Sequence, residues 1–371
     1  MPIKLNIQTP SNDRDSYDMK QFERRSCSIE ELLIYATETN CSDLYIKEFT
    51  SPYISRFGKL VRLPCNPTSR EEWMNFYDKY IREELNASYV REKMLDTSVE
   101  IRIPDDSPLF DKYPSAYFRY RLSLGFSTDA RTATFRMIRP EKPTFATINY
   151  PESCRDALTS AFAKKTGIIY FTGPTGSGKT TTLVACMNDF TQPGKILDNK
   201  AIISLEEPIE YSFDSTDTVK FTQKEMGKDF ISYDNGIKQA LREHPNMINV
   251  GECRDREVIG AAIEAARTGH LVATSFHASD CAGTLSRLSY HLGNDTNLIY
   301  DLILNMNIIM SQKLIPQNDR YKVDTQYVLF TDEVTQRIVK AFSENKNISI
   351  EVNELFKDEN LVNNGIVKDW D

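Results

Sequence analysis

The chain has 371 residues, 40% hydrophobic and 26% charged, an ordinary globular composition with length for about two to three domains. Its net charge of −8 disfavours a nonspecific nucleic-acid binder, which would carry a basic footprint, so no direct nucleic-acid binding is expected. No apolar run approaches the roughly 18 residues of a membrane span, no apolar leader opens the chain, and the seven scattered cysteines form no CxxC pair. The expectation is a cytoplasmic protein with free thiols, without a transmembrane segment, disulfide framework or zinc site.

Residues 1–27 read as a loose tail. From 28 to 137 a helical stretch, SIEELLIYATET, is followed by alternating strand-like ones: LYIKEF, YISRFGKLVRL, YFRYRLSLGF and TATFRMI. That pattern predicts an α+β domain with an antiparallel sheet. Three prolines in 138–152 predict a stiff, extended interdomain linker. Over 153–343 short apolar strands (TGIIYFTG, KAIISLEE, NMINVGE, HLVATSF) alternate with helical stretches such as ISYDNGIKQALRE and DREVIGAAIEAART. Near-continuous apolar strands separated by helices predict a parallel sheet covered on both faces. The stretch NLIYDLILNMNIIMSQKL reads as helix, residues near 321–330 as hairpin strands, and 344–371 as a polar tail.

Gly173, Pro174, Thr175, Gly176, Ser177, Gly178, Lys179 and Thr180 spell GxxxxGK[ST] between a predicted strand and a predicted helix, with Thr181 following. The glycines let successive backbone N–H groups turn inward on phosphate oxygens, and the helix adds its positive end. Lys179 reaches the β- and γ-phosphates, and the Thr180 hydroxyl is a Mg²⁺ ligand, so ATP and Mg²⁺ are the expected substrate and cofactor.

Hydrolysis also needs carboxylates. MINVGECRD ends a strand in Gly251-Glu252, with glycine where an aspartate usually stands, so Glu252 must act on the metal or on the nucleophile. IISLEEPIEY gathers Glu206, Glu207 and Glu210 around Pro208 at another strand end, where ligands of open α/β sheets bind; taken alone this could be a solvated acidic loop.

Two of four histidines, His270 and His277, flank LVATSF. Seven strand steps of ~3.3 Å put them roughly 20 Å apart, and the odd offset points them to opposite faces, so they cannot share a metal. His277 falls at the nucleotide end of the strand and is the candidate for the γ-phosphate region. His270 follows Gly269, a helix-ending residue, and is expected to fix a loop.

The order phosphate loop, EEPIEY, VGECRD, TGHLVATSFHA resembles the four boxes of the PilT class in the type II/type IV secretion-ATPase superfamily. SDLYIKEFTSPYISRFGKLVRL and YFRYRLSLGFSTDARTATFRMI resemble the family's N-terminal segments, so the likeness spans about residues 30–290. It implies a PAS-like N-terminal domain, a RecA-like P-loop domain, a homohexameric ring and ATP between the domains. By the same carry-over Glu210 polarises the attacking water, Glu252 lies near Mg²⁺, and Arg119, Arg121, Arg131 and Arg136 approach the phosphates; Arg131 and Arg136 are favoured as catalytic. Surface arginines on alternating strand positions are the plain alternative. Arg254 and Arg287 could make structural salt bridges instead.

Several positions depart from the family. The acidic box reads Glu-Glu-Pro rather than Glu-Asp-Pro, and Asn246 stands where an aspartate is usual, so it takes no catalytic role. A four-cysteine metal motif and the AIRNLIRE signature of pilus-retraction enzymes are missing from the sequence. The remainder resembles the Dot/Icm-type IVB branch: a hexameric motor recruited peripherally to an inner-membrane secretion complex. The alternatives are a pilus-retraction ATPase, a monomeric P-loop kinase or switch, and a RecA-type DNA motor.

Overall fold

The computed structural model describes residues 19, 22–56, 59–81, 89, 93–107, 109–110, 117–128, 130–138, 141–293, 295–317 and 320–370. Contacts divide the chain into two units, Met1–Ile138 and Arg139–Asp371. The predicted tail 1–27 falls largely outside the described residues, but its end is not loose. Phe22 is buried edge-on against Tyr35 at 4.7 Å, and Asn66 N–H donates to the Arg25 carbonyl at 2.9 Å.

In the first unit, α1 (Ile29–Glu38) and α2 (Arg70–Tyr80) both start on capping boxes, Ser28 with Glu31 and Ser69 with Glu72. Each box satisfies N–H groups that the first turn leaves unpaired. The strands are β1 (Asp43–Lys47), β2 (Tyr53–Arg56), β3 (Lys59–Arg62), β4 (Leu95–Arg102), β5 (Tyr117–Ser127) and β6 (Ala130–Ile138). They form one antiparallel sheet in the order β3-β2-β1-β6-β5-β4. Strict alternation in β5 turns Phe118, Tyr120, Leu122 and Leu124 into a core with Leu32, Leu33 and Trp73.

The second unit is an eight-stranded sheet between helices. Its elements are α3 (Glu152–Phe162), β7 (Gly167–Thr172), α4 (Lys179–Phe190), β8 (Ala201–Glu206), β9 (Lys220–Glu225), α5 (Tyr233–Leu241), β10 (Met247–Val250), α6 (Arg256–Arg267), β11 (Leu271–Phe276), α7 (Cys281–Leu292), α8 (Thr296–Leu304), β12 (Met306–Gln317), β13 (Arg320–Leu329), α9 (Asp332–Ser343), α10 (Ile348–Leu355), α11 (Glu359–Asn363) and β14 (Val367–Lys368). The order is β14-β13-β12-β7-β11-β10-β8-β9, parallel from β12 to β9. β7 reads buried at every residue: Ile169 and Phe171 pack under α3 and α4, while Ile168 and Tyr170 pack under α5, α6 and α7.

Three expectations need correction. The stretch 297–314 is not one helix: α8 ends at Leu304, and β12 pairs beside β7 from Met306. Ile308, Ile309 and Met310 are all fully buried, which a strand covered on both faces achieves and a surface helix does not. The segment 138–152 is not extended in its described part. Tyr150 N–H closes onto the Phe145 carbonyl at 3.0 Å, and Phe145 packs 5.5 Å from Phe190 in the core. Residues 344–371 are not a solvated tail either, since Ile348, Val352, Leu355, Leu361 and Val367 are buried and β14 pairs with β13. The seven cysteines are reduced and buried. Among the described residues no helix is long and apolar enough to cross a membrane.

Candidate nucleotide-hydrolysis site

Every functional segment of the second unit begins where a parallel strand ends. Register aligns Thr172 of β7 with Phe276 of β11, Thr274 with Val250 of β10, and Val250 with Leu205 of β8. The phosphate loop, His277, Gly251-Glu252 and the acidic loop therefore leave one edge of the sheet, the edge at which such folds bind ligands.

In the loop, Gly173, Gly176 and Gly178 take φ of +148°, +79° and +85°. Gly178 is the left-handed N-cap of α4, and the helix begins at Lys179. A side chain at 173 would put Cβ 2.2 Å from the Gln312 carbonyl oxygen, so this glycine is required by close approach as well as by φ. Pro174, Thr175, Gly176 and Thr180 are exposed, Gly178 and Thr181 are half-buried, and Ser177 and Lys179 are buried. Lys179 Nζ donates to the carbonyls of Gly173 (2.9 Å) and Pro174 (3.0 Å), and burial pulls its pKa below the usual lysine value.

Glu252 is gripped on both oxygens. Arg254 Nε approaches Oε2 at 2.8 Å and His277 Nε2 approaches Oε1 at 3.2 Å. Arg254 also reaches Glu207 Oε2 at 3.6 Å, so it ties the acidic loop to the β10 strand end. Burial first, then the Lys179 charge, lowers the His277 pKa, leaving the ring neutral at pH 7. Arg287 donates to the His277 carbonyl and stacks over Phe276 at 5.7 Å, which fixes the backbone that presents the imidazole. Glycine at 251 has a packing reason: a Cβ there would lie 2.9 Å from Tyr233 Oη and 3.2 Å from the Leu205 carbonyl. Any larger residue there has to displace the Tyr233 hydroxyl and crowd the Leu205 carbonyl.

The acidic loop is held from below. Glu206 is nearly buried, and its Oε1 accepts from Ser204 Oγ (2.6 Å) and Gln223 Nε2 (2.9 Å). Asn249 Nδ2 donates to Ser204 Oγ at 2.7 Å, and Gln223 Nε2 also reaches the Tyr211 carbonyl at 2.8 Å. The Glu210 N–H donates to the Glu206 carboxylate, whose pKa burial raises. Glu206 is thus a support inside the protein, while Glu210 is half-buried on the loop it anchors. The sequence resemblance singled out Glu210 but not the supporting role of Glu206; Ser204, polar within an otherwise apolar run, was the available signal.

His270 lies at the opposite end of β11. Its Nδ1 sits 3.2 Å from the Ala265 carbonyl, closing the C-terminus of α6. Asn246 is structural too: its Oδ1 accepts from Ala201 N–H at 2.8 Å.

The four candidate arginines belong to the first unit. Arg136 is directly opposite Arg121, Arg121 opposite Ser98, and Asp43 opposite Arg136, so one row crosses four strands on the face away from the core. Arg136 Nε pairs with Asp43 at 2.9 Å, and Arg119 donates to Ser98 at 3.3 Å. Arg131 is separated from this row. It pairs with buried Glu48 at 2.8 Å, and its backbone N–H binds the same carboxylate.

Thr180 and Glu252 offer a hydroxyl and a carboxylate. Among the described residues no three His, Cys, Asp or Glu side chains cluster as a metal cage. A sparse set of hard oxygen donors fits Mg²⁺, which keeps waters and shares substrate phosphates.

Residues 23–357 match the Type II/IV secretion system protein family. The type IV pilus ATPase PilU of Pseudomonas aeruginosa is 28% identical over 293 residues, covering 78% of this chain and 71% of PilU. The crystal structure of the ATPase DotB from Legionella pneumophila superposes with a TM-score of 0.77 at 25% identity, over 94% of this chain and 96% of that one. The pilus retraction motor PilT with bound ADP superposes with a TM-score of 0.72 at 24% identity, over 90% and 94% of the two chains, and shares the fold. The mixed α/β fold with its parallel sheet is that of these proteins. The chain belongs to the Type II/IV secretion system protein family, and it is an ATPase of that family.

Proposed function

We propose that the chain is a Mg²⁺-dependent ATP-hydrolysing motor that acts as a homohexamer in a type IV secretion machine of the Dot/Icm kind. It would work from the cytoplasm, recruited peripherally to inner-membrane components. The observation that carries the catalytic part is the convergence of Lys179, Glu252, His277 and the Glu206-anchored acidic loop at one sheet edge. The loop N–H groups and the α4 N-terminus bind the phosphates. Lys179 exchanges its two carbonyl acceptors for phosphate oxygens. Glu210 orients the attacking water and accepts its proton, as a general base must. Glu252 and Thr180 would hold Mg²⁺, which supplies charge neutralisation on the phosphates. Neutral His277 keeps Glu252 oriented and faces the γ-phosphate region.

Arg119, Arg121 and Arg136 are the proposed phosphate-approaching arginines. Arg121 and Arg136 stand directly opposite each other with, among the described residues, only Asp43 paired to Arg136, and an anion would relieve the remaining like-charge contact. Arg131, engaged twice by Glu48, is the weaker candidate of the original four. The segment 138–152, joining the domain at 28–137 to the ATPase domain at 153–343, is the proposed hinge region. The DotB superposition over nearly the whole of both chains supports the Dot/Icm assignment. PilU similarity supports the second reading, a pilus-retraction ATPase. Size-exclusion chromatography with light scattering, with and without a non-hydrolysable ATP analogue, tests the ring. Six-fold mass in either condition supports it, and a monomer in both overturns it.

A further inference from the structure

A phosphate loop binds phosphate only while its N–H groups point inward, and its carbonyls must then find partners on the outside. In this chain the outside of the loop faces β12. Ser311 is in register with Thr172, the last residue of β7, so Gln312 sits beside Gly173. Gln312 is fully buried, and its Nε2 donates to the Ser177 carbonyl at 2.7 Å. The same nitrogen lies 3.2 Å from where a Cβ on Gly178 would be, and its backbone carbonyl bars any side chain from Gly173. Gln312 therefore touches the loop at its first glycine, its serine and its last glycine.

Its Oε1 is buried without a hydrogen-bond partner among the described residues, so the amide is held here by the donor it offers to Ser177 and not by a network of its own. The carbonyls of Gly173 and Pro174 are bonded by Lys179, a side chain that phosphate recognition needs elsewhere, and Pro174 also accepts from the Ser177 N–H at 3.2 Å. Gln312 alone among these donors is fixed to the sheet and has no competing duty.

We infer that Gln312 is the positioning residue of the phosphate loop: its amide holds the Ser177 carbonyl outward so that the loop keeps its phosphate-binding curl when Lys179 moves to the nucleotide. The inference rests on the reading of residues 173–180 as a nucleotide site. It predicts that removing the donor weakens phosphate binding more than it slows turnover at saturation.

The test uses full-length Gln312→Leu and, in case that variant folds poorly, Gln312→Met, whose flexible side chain fits the same space. AMP-PNP and pyrophosphate binding are measured by calorimetry, with steady-state kinetics and apo thermal unfolding alongside. A rise of about tenfold or more in Kd for both probes, with KM rising more than kcat falls, supports the role; that is the scale of a lost buried hydrogen bond. A folded variant that has a lower Tm but wild-type Kd values overturns it, because a merely structural glutamine would behave so. If the wild-type protein binds neither probe while folded, the nucleotide-site reading itself fails, and this inference with it.

Discussion

Nε2 of His277 lies 3.2 Å from Oε1 of Glu252, across two strand ends that are neighbours in the sheet though twenty-five positions apart in the chain. Arg254 holds the other oxygen of the same carboxylate. Glu252 is therefore oriented from both sides by groups of unlike protonation behaviour: a guanidinium that stays charged and an imidazole kept neutral by burial and by Lys179.

His277→Asn should reduce kcat well beyond the effect of changing an exposed residue such as Tyr290, by about 10–100-fold, since it frees one side of Glu252. Wild-type rates would leave His277 only a packing role.

A depressed histidine pKa also sets a sign. His277 is neutral in both folded and unfolded chains above about pH 6.5, so its stabilising contribution is complete there and is lost as pH falls through the lowered folded value. Urea titrations between pH 7.5 and 5 should show the wild type losing more stability than His277→Asn over that window. Parallel curves would refute it.

Lys179→Ala should lower turnover by about 10²–10³-fold and weaken analogue binding. Glu210→Gln should leave analogue affinity within a few-fold while kcat falls by about 10²–10⁴-fold. An unchanged kcat in the second variant would remove Glu210 from the water-activating role.

Glu206 carries the opposite sign to His277. Its raised pKa means that its favourable contribution belongs to the protonated form, present below about pH 4.5 and lost as pH rises through the folded value. Glu206→Gln should therefore gain stability relative to wild type as pH increases from 4.5, measured by denaturant midpoints. A difference independent of pH would contradict the burial described for this carboxylate.

Phe145→Ala should cost about 3–5 kcal/mol of stability, because the ring packs with Phe190 and Tyr150 inside the second unit. A free extended linker would tolerate the change with almost no shift in the unfolding midpoint.

Much of this was legible from local pattern. The phosphate loop announced itself by glycine spacing, and β7, β8, β10 and β11 by short apolar runs between helices. His270 and His277 separated on strand geometry alone. What escaped was set by long-range packing. The run NIIMSQKL has apolar residues compatible with either period, and only its place beside β7 makes it a strand. That error hid Gln312, which in a helix would have been one more surface amide. Phe145 and Leu361 sit in polar, proline- or asparagine-rich surroundings, so their burial depends on partners distant in sequence. Gly251 looked like a lost aspartate, and its cause is the Tyr233 hydroxyl eighteen positions earlier.

The two carbonyls on Lys179 Nζ make phosphate capture partly an exchange of hydrogen bonds. Two of the three ammonium N–H groups are already engaged, so a phosphate takes the third directly and any further bond to Nζ replaces one made to Gly173 or Pro174. Lys179 still adds its charge to phosphate binding, and the carbonyl bonds that re-form when the phosphate leaves ease its release.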